Sequence, residues 1–138
     1  MKIGIICNQN LVRSPLITSY LRKNFGSHEY FSAGISISGG FEYPISTNSL
    51  AKIWDLPLVD SPNIDVSNRQ SEIAECDLLL CVDDYVYEYC QFNFRKNLKL
   101  INLAFLASER EIKISDPLNL TFSDLQVIIS KYFFLVSE

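Results

Sequence analysis

The switch of hydrophobic period around residues 6–14 constrains this chain more than any other feature. Ile3, Ile5 and Ile6 lie in a short β-branched run over 2–6, the pattern of a buried strand, and the run ends at Cys7. A polar stretch follows. From Ser14 the apolar residues recur at helical spacing, as Leu16, Ile17, Tyr20, Leu21 and Phe25, with Arg22 and Lys23 late in the helix and Gly26 as its stop. Pro15 suits the first helical turn, where no backbone donor is needed. The opening unit is therefore strand, loop, helix.

The alternation continues. Strands are expected at 29–33, closed by Gly34, at 77–82 with Asp83 and Asp84 at its carboxyl end, and at 98–105. Helices are expected at 46–54, at 71–75 for a turn or two, at 85–92, and in a last segment where Leu125, Ile128, Ile129, Tyr132 and Phe133 form one stripe. Residues 35–45, 56–63 and 107–120 read as connections. The expected fold class is α/β, a three-layer arrangement of a four-stranded parallel sheet flanked by helices, with a phosphate loop after the first strand. No internal repeat or domain boundary is evident, so residues 1–138 are expected to form a single domain.

Composition excludes several classes. A net charge of −4 gives no field to gather nucleic acid, though a few local donors can still hold an anion. No apolar run is long enough for a signal-peptide core or a membrane span, so a cytoplasmic location without membrane association is expected. Cys7, Cys76, Cys81 and Cys90 would then lie in a reducing compartment, which argues against a disulfide framework. With His28 the single histidine and no Cys-x-x-Cys pair, a structural zinc site has no ligand set to draw on.

In doubly wound sheets, ligands bind beyond the carboxyl ends of strands and beside helix amino termini. Cys7 stands at such an end, and Ser14 opens the next helix. Asn8, Gln9, Asn10, Leu11 and Val12 suffice to curl backbone N–H groups around one tetrahedral anion. Arg13 adds a two-pronged contact to phosphate oxygens that lysine does not reproduce. The same donors favour the thiolate of Cys7, the nucleophilic form, and stabilise charge in a transition state. Ser14 offers a hydroxyl to the thiolate when it leaves. Asn10, which can bond its own loop's backbone and tolerates a left-handed conformation, serves as a brace. A lone cysteine would read as a buried inert thiol, but Cys-x5-Arg-Ser at a strand-to-helix junction changes that reading.

Cys7, Asn10, Arg13, Ser14 and Pro15 match, position for position, the Cys-x-x-Asn-x-x-Arg-Ser-Pro loop of the low-molecular-weight protein tyrosine phosphatases, which the chain resembles. Ser32-Ala33-Gly34, the segments 67–70 and 77–83, and Asp116-Pro117 resemble further family features in the same order. The resemblance implies that Cys7 attacks phosphorus to form a phosphocysteine. It also implies that Asp116 protonates the leaving oxygen and then serves as base for water, with no cofactor and no metal. The implied partner is a phosphotyrosine protein, a tyrosine kinase of a polysaccharide-export system being one possibility, or a small aryl phosphate. Asp-Pro alone is an ordinary turn dipeptide. The chain departs from the family at Gln9, where glycine is usual, at Val12, which replaces a frequent second cysteine, and at Leu118 and Asn119, where aromatics often wall the pocket. Phe41 and Tyr43 could supply that wall, or could equally be ordinary half-buried aromatics.

Two other readings remain open. A thioredoxin-coupled arsenate reductase uses the same loop with two further cysteines, for which Cys81 and Cys90 are candidates, although Cys81 reads more simply as a strand residue in the core and Cys90 as a helix residue. A non-catalytic phosphate-binding module would keep the loop but need neither Cys7 nor Asp116.

Overall fold

The β-branched run at the amino end forms β1 (Lys2–Cys7), in which Ile3, Ile5 and Ile6 are completely buried. Such side chains fit a strand covered on both faces, and each one contributes about 1.5–3 kcal/mol when removed from water. In the computed structural model, which describes residues 1–11, 13–37 and 42–108, β1 lies between β2 (Glu29–Gly34) and β3 (Leu78–Cys81). A short β4 (Leu100–Asn102) extends the sheet beyond β3. The order is β2-β1-β3-β4 and every pairing is parallel. The register sets Cys7 beside Gly34 and Ile6 beside Cys81.

Helices fill every crossover. α1 (Arg13–Asn24) joins β1 to β2, and α4 (Asp84–Asn93) joins β3 to β4. Between β2 and β3 lie α2 (Ile45–Ile53), a 3-10 turn (Val66–Arg69) and α3 (Gln70–Glu75). The first crossover runs outward in one direction and the last in the other. Right-handed connections therefore set α1 and α4 on opposite faces of the sheet. This makes an α/β three-layer fold whose switch point lies between the carboxyl ends of β1 and β3. Cys7 and Asp83 stand at those two ends.

The core is the sheet and its facing helices. Leu16, Ile17, Tyr20 and Leu21 of α1 are buried against β1 and β2, and Leu78, Leu79, Leu80 and Val86 fill the other half. Gly4 is required where it stands. A Cβ there would lie 2.4 Å from Phe31 Cζ and 2.6 Å from Leu79 Cδ2. Arg95 closes the far end of α3 by donating to the carbonyls of Ile73 (2.7 Å), Ala74 (3.0 Å) and Cys76 (2.9 Å).

The fourth strand departs from expectation. The apolar run over 98–105 reads as one strand, but only Leu100–Asn102 pairs, and α5 (Leu103–Ser108) begins immediately after. Asn102 causes the break: its Oδ1 accepts the N–H of Phe105 at 3.2 Å, satisfying an orphan donor of the new helix. The expected last helix, Asp116, Leu118, Asn119, Phe41 and Val12 lie outside the described residues. Among the described residues no helix is long and apolar enough to cross a membrane.

Candidate active site

β1 delivers Cys7 to the carboxyl end of the sheet, almost entirely buried at 2% exposure. Its Sγ lies 2.9 Å from Ser14 Oγ and accepts the N–H of Asn10 at 3.1 Å. Asn10 has φ 57°, in the left-handed region, where asparagine is among the better-tolerated side chains. That turn folds the loop back on the sulfur. Gln9 is not among the described non-glycine residues with positive φ, so the exchange of glycine for glutamine carries no left-handed strain.

The Asn10 side chain is fully buried and braces the loop through the Ser14 hydroxyl and through two elements outside it, not through the loop's own backbone as the sequence suggests. Its Nδ2 donates to Ser14 Oγ (2.8 Å) and Ser32 Oγ (3.0 Å), and its Oδ1 accepts the N–H of Ile64 (3.0 Å). The Ile64 bond fixes which end of the amide is oxygen. Ser14 Oγ accepts from Asn10 and so is held in place beside the Cys7 sulfur. The sulfur thus lies within hydrogen-bond distance of one hydroxyl and one backbone N–H.

The loop carbonyls are tied outward. Cys7 O accepts from Ile35 N (3.1 Å), Asn8 O from Ser36 N (2.8 Å), Asn10 O from Asn63 N (3.1 Å) and Leu11 O from Thr47 Oγ1 (2.7 Å). A trans peptide points its N–H opposite to its C=O, so these ties turn the amides of Asn8, Gln9 and Leu11 toward the loop interior. Gly34 lets β2 come close enough for this. A Cβ there would lie 2.8 Å from Gln9 C, 2.9 Å from Asn10 N and 2.9 Å from Asn8 O, all backbone atoms that cannot swing aside. Gly34→Ala is accordingly expected to destabilise the chain by about 1–3 kcal/mol, read as a lower denaturant midpoint at unchanged slope.

Arg13 opens α1 with its side chain 13% exposed, and its Nη1 donates to Asp83 Oδ2 at 2.8 Å. Asp83 Oδ1 meanwhile caps α4 through Val86 N at 2.9 Å. One carboxylate thus fixes both the start of α4 and the direction of the guanidinium, leaving Arg13 donors for an anion. The sequence marks Asp83 only as an acid at a strand end; its pairing with Arg13 follows from β3 lying next to β1.

Tyr43 is bound elsewhere. Its hydroxyl donates to Asp60 O at 2.6 Å, and burial, with Asp60 adding and Arg22 opposing, pushes its phenol up to about 12. The phenol is therefore neutral at physiological pH, and only its ring is available as a wall. Cys81 and Cys90 meet in the core, fully buried, and the Cys81 thiol is pushed up by its hydrogen bond with Cys90 and by burial. Cys76 is likewise buried, and all four cysteines are free. Among the described residues no three His, Cys, Asp or Glu side chains cluster to share a metal ion. Sequence reasoning missed Thr47 and Asn63; the latter, at φ 56°, is an asparagine in a Pro-Asn turn.

Together these elements define the fold of the low-molecular-weight phosphotyrosine phosphatases, with a cysteine–arginine loop at its switch point. The chain is similar to a low-molecular-weight phosphotyrosine phosphatase from Vibrio cholerae O395, with a TM-score of 0.76 at 21% identity over 99% of this chain and 95% of that one. It is similar as well to the tyrosine phosphatase Wzb from Escherichia coli K30, solved with sulphate, with a TM-score of 0.73 at 22% identity over 96% and 94%. The YwlE arginine phosphatase from Geobacillus stearothermophilus superposes with a TM-score of 0.69 at 17% identity over 99% and 88%. No protein-family model matches the sequence, and a search of curated proteins finds no match.

Proposed function

We propose that this chain is a single-domain, cytoplasmic, cysteine-dependent phosphomonoesterase of the low-molecular-weight phosphatase type, acting on phosphotyrosine in proteins or on a small aryl phosphate. The observation that carries the reading is the Cys7 sulfur, held by Ser14 Oγ and Asn10 N at the mouth of a loop whose carbonyls face outward. Residues 8–14 supply the anion ligands. Neighbours that act on phosphotyrosine and on phosphoarginine share the fold, so the substrate rests on this chain's own walls. The half-buried ring of Tyr43 is the aromatic candidate for a wall beside a phenyl group.

In the first step Cys7 Sγ forms a bond to phosphorus as the P–O bond to the leaving group breaks. Asp116 gives its proton to the departing oxygen. Arg13 and the loop amides hold the three equatorial oxygens. In the second step water attacks phosphorus, Asp116 takes its proton, and the P–S bond breaks, with the Ser14 hydroxyl meeting the returning thiolate. No step needs a metal or cofactor, a nucleic acid or a membrane.

Asp116→Asn is expected to slow poor leaving groups by about 10²-fold while sparing activated ones. A series of aryl phosphates of graded leaving-group acidity checks it, and equal losses across the series would remove Asp116 as the acid. Steady-state rates on phosphotyrosine, phosphoserine and phosphoarginine peptides then decide the substrate class.

A second reading, arsenate reduction relayed through Cys81 and Cys90, draws support from the contact between these thiols. Their complete burial and the raised Cys81 thiol oppose it, because the attacking species must be an accessible thiolate. Arsenate reduction lost on replacing either cysteine would favour it.

A further inference from the structure

A loop that wraps a phosphate must keep its carbonyl oxygens out of the anion's space, since each carries negative partial charge. Four carbonyls of this loop are held outward, and their donors differ in kind. Ile35, Ser36 and Asn63 use backbone N–H groups, which any sequence with this chain path would supply. The fourth donor is a side chain: Thr47 Oγ1, 2.7 Å from the Leu11 carbonyl.

Thr47 lies in the first turn of α2 and is fully buried. Threonine is a middling helix former, and a buried hydroxyl is costly unless it is hydrogen-bonded. A helical threonine commonly spends its hydroxyl on the carbonyl three or four residues back. Here those two carbonyls have other partners, Pro44 O accepting from Asn48 N (3.1 Å) and Tyr43 O from Asn48 Nδ2 (3.3 Å). The hydroxyl instead leaves its own helix and crosses to the loop. Valine would fill the same volume, so packing alone does not account for an oxygen at this position.

We infer that Thr47 is a positioning residue for the anion site: its hydroxyl holds the Leu11 carbonyl outside the cradle and ties the loop to α2. It touches neither substrate nor sulfur and acts through the loop backbone. The inference rests on the reading of residues 7–14 as a phosphate cradle. Without the hydroxyl, the Leu11 carbonyl has lost its donor and is free to rotate toward the anion, where it repels the equatorial oxygens. The penalty rises as charge builds in the transition state, so kcat/KM falls further than phosphate affinity.

The test compares Thr47→Val, which keeps shape and removes the donor, with Thr47→Ser, which keeps the donor. Inorganic phosphate affinity is measured by calorimetry, alongside kcat and KM on an aryl phosphate and the thermal midpoint of each variant. Thr47→Val is expected to weaken phosphate binding about tenfold, the loss of one satisfied buried acceptor, with Thr47→Ser near wild type. A purely structural tie would lower the thermal midpoint of Thr47→Val but leave phosphate affinity and kcat/KM of the folded protein unchanged, and that result would overturn the inference. Should Thr47→Val not fold, Thr47→Cys retains the bulk with only a weak S–H donor, and the same two outcomes apply to it. The two proposals separate cleanly. Wild-type protein that binds phosphate without hydrolysing esters, and loses binding in Thr47→Val, supports the Thr47 role and contradicts the phosphatase. Wild-type protein that hydrolyses esters and is matched by Thr47→Val does the reverse.

Discussion

Replacing Cys7 with serine is expected to lower turnover of an aryl phosphate by about four orders of magnitude or more, the usual consequence of removing a nucleophile that acts as one unit with its neighbours. Serine at this position keeps its proton at neutral pH and lacks the polarisable sulfur. The inward amides of Asn8, Gln9 and Leu11 and the Arg13 guanidinium are untouched, so inorganic phosphate should bind with nearly wild-type affinity. That separation of binding from turnover marks a nucleophile and not an anion ligand. Parallel assays of ester hydrolysis and phosphate binding check it. Residual activity near wild type would remove Cys7 from the chemistry.

Arg13→Lys is the second large effect, expected to reduce kcat/KM by about 10²–10³-fold at little change in thermal midpoint. The guanidinium spends Nη1 on Asp83 and still offers donors in a planar fork. An ammonium that answers Asp83 cannot also span two phosphate oxygens. If it turns to the phosphate, it gives up the partner that aims it. Steady-state kinetics with an aryl phosphate measure the loss. A lysine variant within a few-fold of wild type would show that net positive charge suffices and that the fork has no role.

The parts of the molecule readable from sequence are those set by local pattern. The run Ile3, Ile5, Ile6 and the stripe Leu16, Ile17, Tyr20, Leu21 each satisfy one period, and the structure places both in the core. Ser14 was legible as a partner of Cys7 through the loop pattern, but Thr18 and Ser19 were not, because they are buried by the helix itself or by a partner distant in sequence. Ser14 meets Cys7 and Asn10, Thr18 Oγ1 donates to Ser14 O at 2.6 Å, and Ser19 Oγ donates to Pro57 O at 2.7 Å. The β4 boundary failed for a different reason. The mostly apolar run over 98–105, interrupted by Lys99 and Asn102, does not by its period separate strand from helix, and the deciding signal was one cap, Asn102. Thr47 and Asp83 show the limit most clearly, since each acquires its partner only when the crossovers bring α2 to the loop and β3 beside β1.

Trapping the intermediate tests the central claim most directly. Wild-type protein mixed with an aryl phosphate, quenched within the first turnover and digested, should yield the peptide containing Cys7 heavier by one phosphoryl group, carried on the sulfur. Turnover without any phosphorylated Cys7 peptide, or with the phosphoryl group on another residue, would contradict the account.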